Sequence, residues 1–540
     1  MCFLNVALLV FHLHTILCLT RVDLLVYTNV GLIKGLRATD GDYSMFMGIP
    51  YAKVDTEKPF GDAAPYPAFQ ETFEAYDDSA ICPQLFRWYN NEITGTLDCL
   101  HLNIHVPSSA TLDNRLPVMV YIHAGGFDAG IAGRLFHSPN FLVKHDVIVV
   151  TLNYRLDIYG FMCLGIPEAP GNQGLKDQYI ALKWIKNNIE AFGGDTKRIT
   201  LFGFSAGAHS IDFHLMFSKE LLFNNVILQS GNSLSATVLY EPDELAAIKI
   251  ANYLGFETNT TIDAVTFLSK TDTNLVIAAV KSLNIIFKPC VETQIEGIEP
   301  YIVDSWINNK IPQVKDMDVM IGFSEHERAE AHVYKDSDYY ENLNIIPDFL
   351  KRVFKFDDDR LEEMKDLVSH FYFVDEQLSE YMQWDIERLD SDFTYIHPVH
   401  RTINRYIENG AGNIYYFMFS YVGGRNAIVT EDDLKRPCCA AHGDDLVYLL
   451  DTETRPQLSE KDEVVVEQMT TMWANFAKYS NPTPMISELL NVKWLPVTEE
   501  TQHYMRIGDK LTLESRPHHD RMAFWDMFYI YNDIWQTQFS

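Results

Sequence analysis

Residues Gly203-Phe204-Ser205-Ala206-Gly207 follow the β-prone run Ile199 to Phe202 and precede a stretch compatible with a helix. A serine with a glycine two residues away on each side, at such a junction, admits few backbones. Strand and helix approach too closely at the turn for a Cβ at either glycine, and the serine is lifted on a strained φ/ψ combination. The run therefore reads as a nucleophile elbow, with the Ser205 hydroxyl above the edge of a sheet. A chance match in a serine- and glycine-containing turn is the bland alternative, so the rest of the chain has to support the reading.

The order of elements does. Short β-branched runs at Val118 to Ile122, Val147 to Leu152, Ile199 to Phe202, Val226 to Leu228, Val319 to Ile321 and Ile414 to Phe419 are candidate strands. Amphipathic segments such as Asp177 to Phe192 and Glu244 to Leu254 separate them. Near-continuous apolar strands alternating with helices predict an α/β fold whose mostly parallel sheet is covered by helices on both faces. Sites in such sheets form at the carboxyl ends of the strands.

With 540 residues, 47% of them hydrophobic, the chain has ample material for a large core, and no linker, repeat or low-complexity tract divides it. One large domain over residues 21–540 is expected. Residues 1–20 carry no charged side chain and are mostly apolar from Phe3 to Leu19, with Arg21 and Asp23 following at once. They read as a cleaved signal peptide, with a short membrane anchor as the rival; His12 and His14 count against a stable span. Beyond it no segment is long and apolar enough to cross a membrane, so no span is expected in the mature chain.

Outside that segment stand Cys82, Cys99, Cys163, Cys290, Cys438 and Cys439. Secretion permits disulfides. Cys82 and Cys99 flank a polar, aromatic loop and are read as one pair; the state of the other four stays open. The sequon Asn259-Thr260-Thr261 offers Asn259 as a glycosylation site. The net charge of −31 excludes nucleic acid and anionic membrane surfaces as partners, because those demand basic patches. The acidic run Asp357 to Glu363 is read as a solvated helix start.

A serine hydroxyl needs a base, an orienting acid and an anion pocket before it can attack a carbonyl. The apolar run Val118 to Ile122 leads into His123-Ala124-Gly125-Gly126-Phe127. Adjacent glycines there leave the N–H groups of Gly125 and Gly126 free to join that of Ala206 around a developing oxyanion. For the acid, the strand Val319 to Ile321 runs into Gly322-Phe323-Ser324-Glu325-His326-Glu327-Arg328, and chemistry alone does not separate Glu325, Glu327 and Glu330. For the base, the chain holds 18 histidines, among them His442 in Ala441-His442-Gly443-Asp444-Asp445-Leu446. His123, His209 and His326 lie near the motifs but are read as loop or helix residues. Neither metal nor cofactor is required.

The chain resembles type-B carboxylesterases of the cholinesterase-like family, insect members most closely, over nearly all of residues 22–540. The resemblance rests on Phe46-Met47-Gly48-Ile49-Pro50-Tyr51-Ala52, Leu97-Asp98-Cys99-Leu100-His101-Leu102-Asn103, Asn153-Tyr154-Arg155-Leu156, Gly171 to Gln178, Phe192-Gly193-Gly194-Asp195 and Asn475-Phe476-Ala477-Lys478-Tyr479. It implies the α/β-hydrolase fold, with helical insertions around the sheet. It also implies a Ser205, Glu327, His442 triad, the acid following five residues after the glycine and the base standing in the H-G-D-D phrase. Arg155 and Asp177 resemble a buried structural ion pair.

Two positions depart from the family. Phe204 stands where glutamate usually precedes the nucleophile and is read as packing under the elbow. Arg328 stands where glycine usually follows the acid, either lowering the acid's pKa or sitting in solvent. Trp88 lacks the placement of a choline-binding tryptophan, and juvenile hormone esterases carry glutamine before the serine, so neither relative fits by motif. The expected activity is hydrolysis of small apolar esters: xenobiotic, hormone-like, or odorant and pheromone molecules. A catalytically silent adhesion module, or a lipase with a lid, are the alternatives.

Overall fold

The computed structural model describes residues 22–87, 91–307, 309–374, 376, 378–428 and 438–532. The apolar segment 1–20 and Trp88 lie outside these residues. The six candidate strands all belong to one eleven-stranded sheet. In chain order its strands are β1 (Leu36–Arg37), β2 (Tyr43–Pro50), β3 (His101–Pro107), β4 (Leu116–Ile122), β5 (Ile148–Leu152), β6 (Gly194–Phe204), β7 (Asn225–Gln229), β8 (Val319–Ser324), β9 (Ile414–Phe419), β10 (His503–Ile507) and β11 (Leu511–Ser515). They lie side by side as β11-β10-β9-β8-β7-β6-β4-β5-β3-β2-β1. The pairings from β5 through β10 are parallel, and antiparallel strands close both edges.

The apolar runs are continuous because both faces of the sheet are buried. Val118, Val120 and Ile122 of β4 join one core cluster, while Met119 and Tyr121 join the other. This is the two-residue alternation of a pleated strand with helices on either side. The helices α1 (Gln173–Asn188) and α2 (Ala206–Phe217) cover the first face through Leu175, Leu182, Ile211 and Leu215. A further pair, α3 (Ala246–Tyr253) and α4 (Asp358–Phe373), lies beyond them in sequence. The second face is covered by α5 (Glu460–Tyr479) through Met469, Met472, Trp473 and Phe476.

Boundaries shift where polar residues are recruited. β6 begins at Gly194, five residues before the apolar run, because Gly194 pairs with Leu116 at the foot of the sheet. α1 begins at Gln173 and tightens into a 3₁₀ turn over Ile189–Phe192. At the acidic run, the Asp357 carboxylate accepts from the Arg360 N–H and caps α4, with Asp358 and Asp359 in its first turn.

Cys82 and Cys99 are bonded, and Cys163 pairs with Cys290. Cys438 and Cys439 are thiols, their Sγ atoms 3.0 Å apart. Asn259 is exposed just before Thr260, whose hydroxyl caps the helix Thr261–Lys270. Arg155 and Asp177 are both fully buried and form a two-pronged pair, Nε to Oδ2 and Nη2 to Oδ1, each 2.7 Å. Among the described residues no helix is long and apolar enough to cross a membrane.

Candidate active site

Ser205 joins β6 to α2 at φ 52° and ψ −120°, a combination an L-residue adopts only when its surroundings compel it. The compulsion is steric. A Cβ at Gly203 would lie 2.6 Å from the Gly207 carbonyl carbon, and one at Gly207 would overlap the Ile122 carbonyl oxygen at the end of β4. The Ser205 N–H donates to the Gln229 carbonyl at the end of β7 (2.9 Å), which pins the turn to the neighbouring strand.

Glu327 and His442 come from the loops after β8 and β9, adjacent parallel strands. The two loops stay paired beyond the strands: Glu325 N–H donates to Phe419 O, and His326 N–H to Ala440 O. That extension sets Glu327 beside His442. The Glu327 Oε2 atom lies 2.5 Å from His442 Nδ1, with the carboxylate fully buried. Its other oxygen accepts from the Ser324 N–H (2.7 Å) and the Ser230 hydroxyl (2.5 Å). Three contacts thus hold one carboxylate. The rivals are placed elsewhere: Glu325 faces Arg506 at 3.4 Å, and Glu330 is exposed.

His442 sits between two aromatic rings. Phe204 lies 4.5 Å from it centroid to centroid, and Tyr395 lies 4.6 Å away. Burial raises the Tyr395 phenol's pKa so that it stays neutral. The imidazole is therefore flanked by the ring of the residue before the nucleophile and by a buried phenol. With Nδ1 committed to Glu327, Nε2 is the nitrogen left to receive a proton. Phe204 packs against the base as well as below the elbow, its ring also filling the space a Cβ on Gly443 would need.

The glycine loop after β4 is held through its carbonyls. Tyr154 donates to His123 O (2.9 Å), and His123 Nδ1 lies 2.8 Å from Ala124 O. Asp128 and Ala129 N–H groups donate to Gly125 O, Lys288 Nζ donates to Gly126 O (2.6 Å), and Asp157 N–H donates to Phe127 O (2.7 Å). Gly125 (φ 118°) and Gly126 (φ 62°) are in left-handed backbone that a side chain would strain. Ala206 is the first residue of α2, where a helix leaves its N–H groups without intrahelical partners. The carbonyls are engaged, while the N–H groups of Gly125, Gly126 and Ala206 donate to no backbone carbonyl among the described residues.

The neighbouring histidines have other work. His209 is buried between Asn232 O (2.7 Å) and Thr237 (3.1 Å), and burial holds its pKa down at about 3. His123 is likewise buried and held at about 4. His326 faces Glu387 at 3.0 Å. Arg328 neither touches Glu327 nor extends into solvent as expected: its guanidinium pairs with buried Asp390 at 2.8 Å. Ser230, Tyr395 and Lys288 carry no signal in the sequence, because each reaches the site from a distant segment. Asp444 and Asp445 of the H-G-D-D phrase are buried supports. Asp444 accepts from Ala427 and Ala441 N–H groups, and Asp445 accepts from Gln229. Among the described residues no three His, Cys, Asp or Glu side chains gather as a metal site.

Comparison with known proteins gives the same frame. The family described as "Carboxylesterase family" matches residues 22–525. Juvenile hormone esterase from Tribolium castaneum is 28% identical, over 93% of this chain and 93% of that protein. Esterase FE4 from Myzus persicae is also 28% identical, over 87% and 86%, and cholinesterase from Mus musculus is 27% identical, over 94% and 87%. Among solved structures, juvenile hormone esterase from Manduca sexta, with OTFP covalently attached, superposes with a TM-score of 0.78 at 27% identity. It covers 94% of this chain and 100% of its own. The fold is that of an α/β-hydrolase.

Proposed function

Because the chain belongs to the carboxylesterase family and is a carboxylic ester hydrolase, we propose that it is a secreted serine esterase working through Ser205, His442 and Glu327. The observation that carries this reading is the 2.5 Å contact between buried Glu327 and His442, whose ring lies against the strained turn bearing Ser205. His442 Nε2 takes the Ser205 proton as Oγ attacks the ester carbonyl. Glu327 holds the imidazole tautomer and stabilises its charge, and the N–H groups of Gly125, Gly126 and Ala206 receive the oxyanion. The alcohol leaves with the proton from His442, and water cleaves the acyl-enzyme by the same route.

The Phe204 and Tyr395 rings that flank His442 favour small apolar esters. The relatives named juvenile hormone esterase bring hormone-like esters into the set to be tested, beside xenobiotic and odorant or pheromone esters. Two disulfides and the apolar segment 1–20 support export of a mature hydrolase domain beginning near residue 21, with Asn259 available for glycosylation. The esterase relatives count against a silent adhesion module.

The test is a panel of p-nitrophenyl esters on the wild type and on Ser205→Ala. Turnover in the alanine variant is expected to fall about a million-fold, as it does when a comparable triad loses its serine. Hydrolysis that survives the substitution overturns the assignment.

A further inference from the structure

The residues that fasten the glycine loop differ in kind. The carbonyls of His123, Ala124, Gly125 and Phe127 are held by neutral groups: a phenol, an imidazole and backbone amides. The Gly126 carbonyl is held by the ammonium of Lys288 at 2.6 Å, reaching in from a segment 162 positions further along the chain. A glycine pair has no side chains to pack, so its backbone depends on such outside bonds for a single conformation. The ammonium also lies over the Phe127 ring, 5.8 Å from its centroid.

We propose that Lys288 is a positioning residue for the oxyanion loop: bonded to the Gly126 carbonyl, it keeps that loop in its anion-receiving shape and places a positive charge behind the developing oxyanion. This rests on the serine-esterase reading above. The surroundings leave the charge available for that task. Asp128 pairs with Arg87 and Lys281, and Asp157 pairs with Lys281 at 2.7 Å. Tyr240, Glu241 and Asp243 share a pocket wall with Lys288, and Asp243 is bonded to Lys249 at 2.6 Å. His209 faces Lys288 from α2 and is neutral at ordinary pH. A cation fixed before the reaction stabilises a developing anion without any reorganisation, which is why such charges raise turnover more than binding.

Burial pushes the Lys288 ammonium down from the usual lysine range to about 8. The cation is present below that pH and is lost as pH rises through it, so turnover should fall on the alkaline side of pH 8.

Three enzymes test this with p-nitrophenyl butyrate between pH 6 and 10: wild type, Lys288→Met and Lys288→Arg. In K288M we expect kcat to drop about tenfold with KM within about twofold, and the alkaline fall to disappear. In K288R we expect most of kcat to return with no fall near pH 8, because a guanidinium stays charged throughout. Melting temperatures identify a variant that has lost its fold; should K288M be one, the K288R profile decides. The proposal is overturned by folded K288M with wild-type kcat and pH profile, by K288R that keeps the wild-type alkaline fall, or by a wild type that shows no such fall. Hydrolysis persisting in Ser205→Ala overturns instead the site on which the proposal rests.

Discussion

Glu327 carries the most demanding position in the site. Its buried carboxylate accepts from Ser230, Ser324 and His442 at once, and each donor requires an acceptor on the other side. A glutamine there keeps the shape but turns one acceptor into a donor. Glu327→Gln is therefore expected to reverse the imidazole tautomer and lower kcat about ten-thousandfold, with little change in melting temperature, as in the comparable aspartate-to-asparagine exchange in a serine protease. Steady-state kinetics beside a melting curve checks both halves. At this scale the sequence is a weak guide. Glu325, Glu327 and Glu330 are chemically equal as carboxylates, and only the family's spacing singled out Glu327. What separates them physically is the pairing of the loops after β8 and β9, which buries Glu327 against His442 and leaves Glu325 beside Arg506. Asp390, the partner that Arg328 takes, comes from a separate helix, Gln383–Ser391.

At the scale of elements, the loop after β5 is joined to α1 through Arg155 and Asp177. Both side chains are fully buried, and Arg155 donates further to the carbonyls of Pro59 and Gly61. Replacing one partner strands the other in a dry interior. Arg155→Met is expected to cost about 3–5 kcal/mol in urea unfolding, and pairing it with Asp177→Leu to recover a good part of that loss. Strands β4 to β9 were legible because burial on both faces demands unbroken apolar runs. The antiparallel strands at the edges escaped. In β3, His101, Asn103 and His105 interrupt the apolar pattern, and Asn103 is tied to the Gly48 N–H and the Thr151 hydroxyl, bonds formed only once the sheet has assembled. Helix limits moved for the same reason: α1 starts at Gln173, since Asn172 is held by Cys290 and Glu292 from 118 and 120 positions away.

Over the whole molecule, the bond between Cys163 and Cys290 spans 127 positions and ties the chain ahead of α1 to the segment that carries Lys288. Closing so long a loop restricts the unfolded chain strongly. The double substitution Cys163→Ser, Cys290→Ser is expected to lower stability by about 2–5 kcal/mol, read as a fall in melting temperature against the wild type. If the segment also positions Lys288, kcat falls with it. The sequence by itself determined the sheet's central strands, the elbow at Ser205 and the glycine loop after β4. Each is a local consequence of which residues can occupy a buried strand or a turn without a Cβ. The tertiary structure decided the partners: Ser230 on Glu327, the two rings around His442, the second disulfide, and Lys288 on Gly126. These contacts join segments tens to hundreds of positions apart, and no local pattern encodes which distant side chain a fold will bring to a given atom.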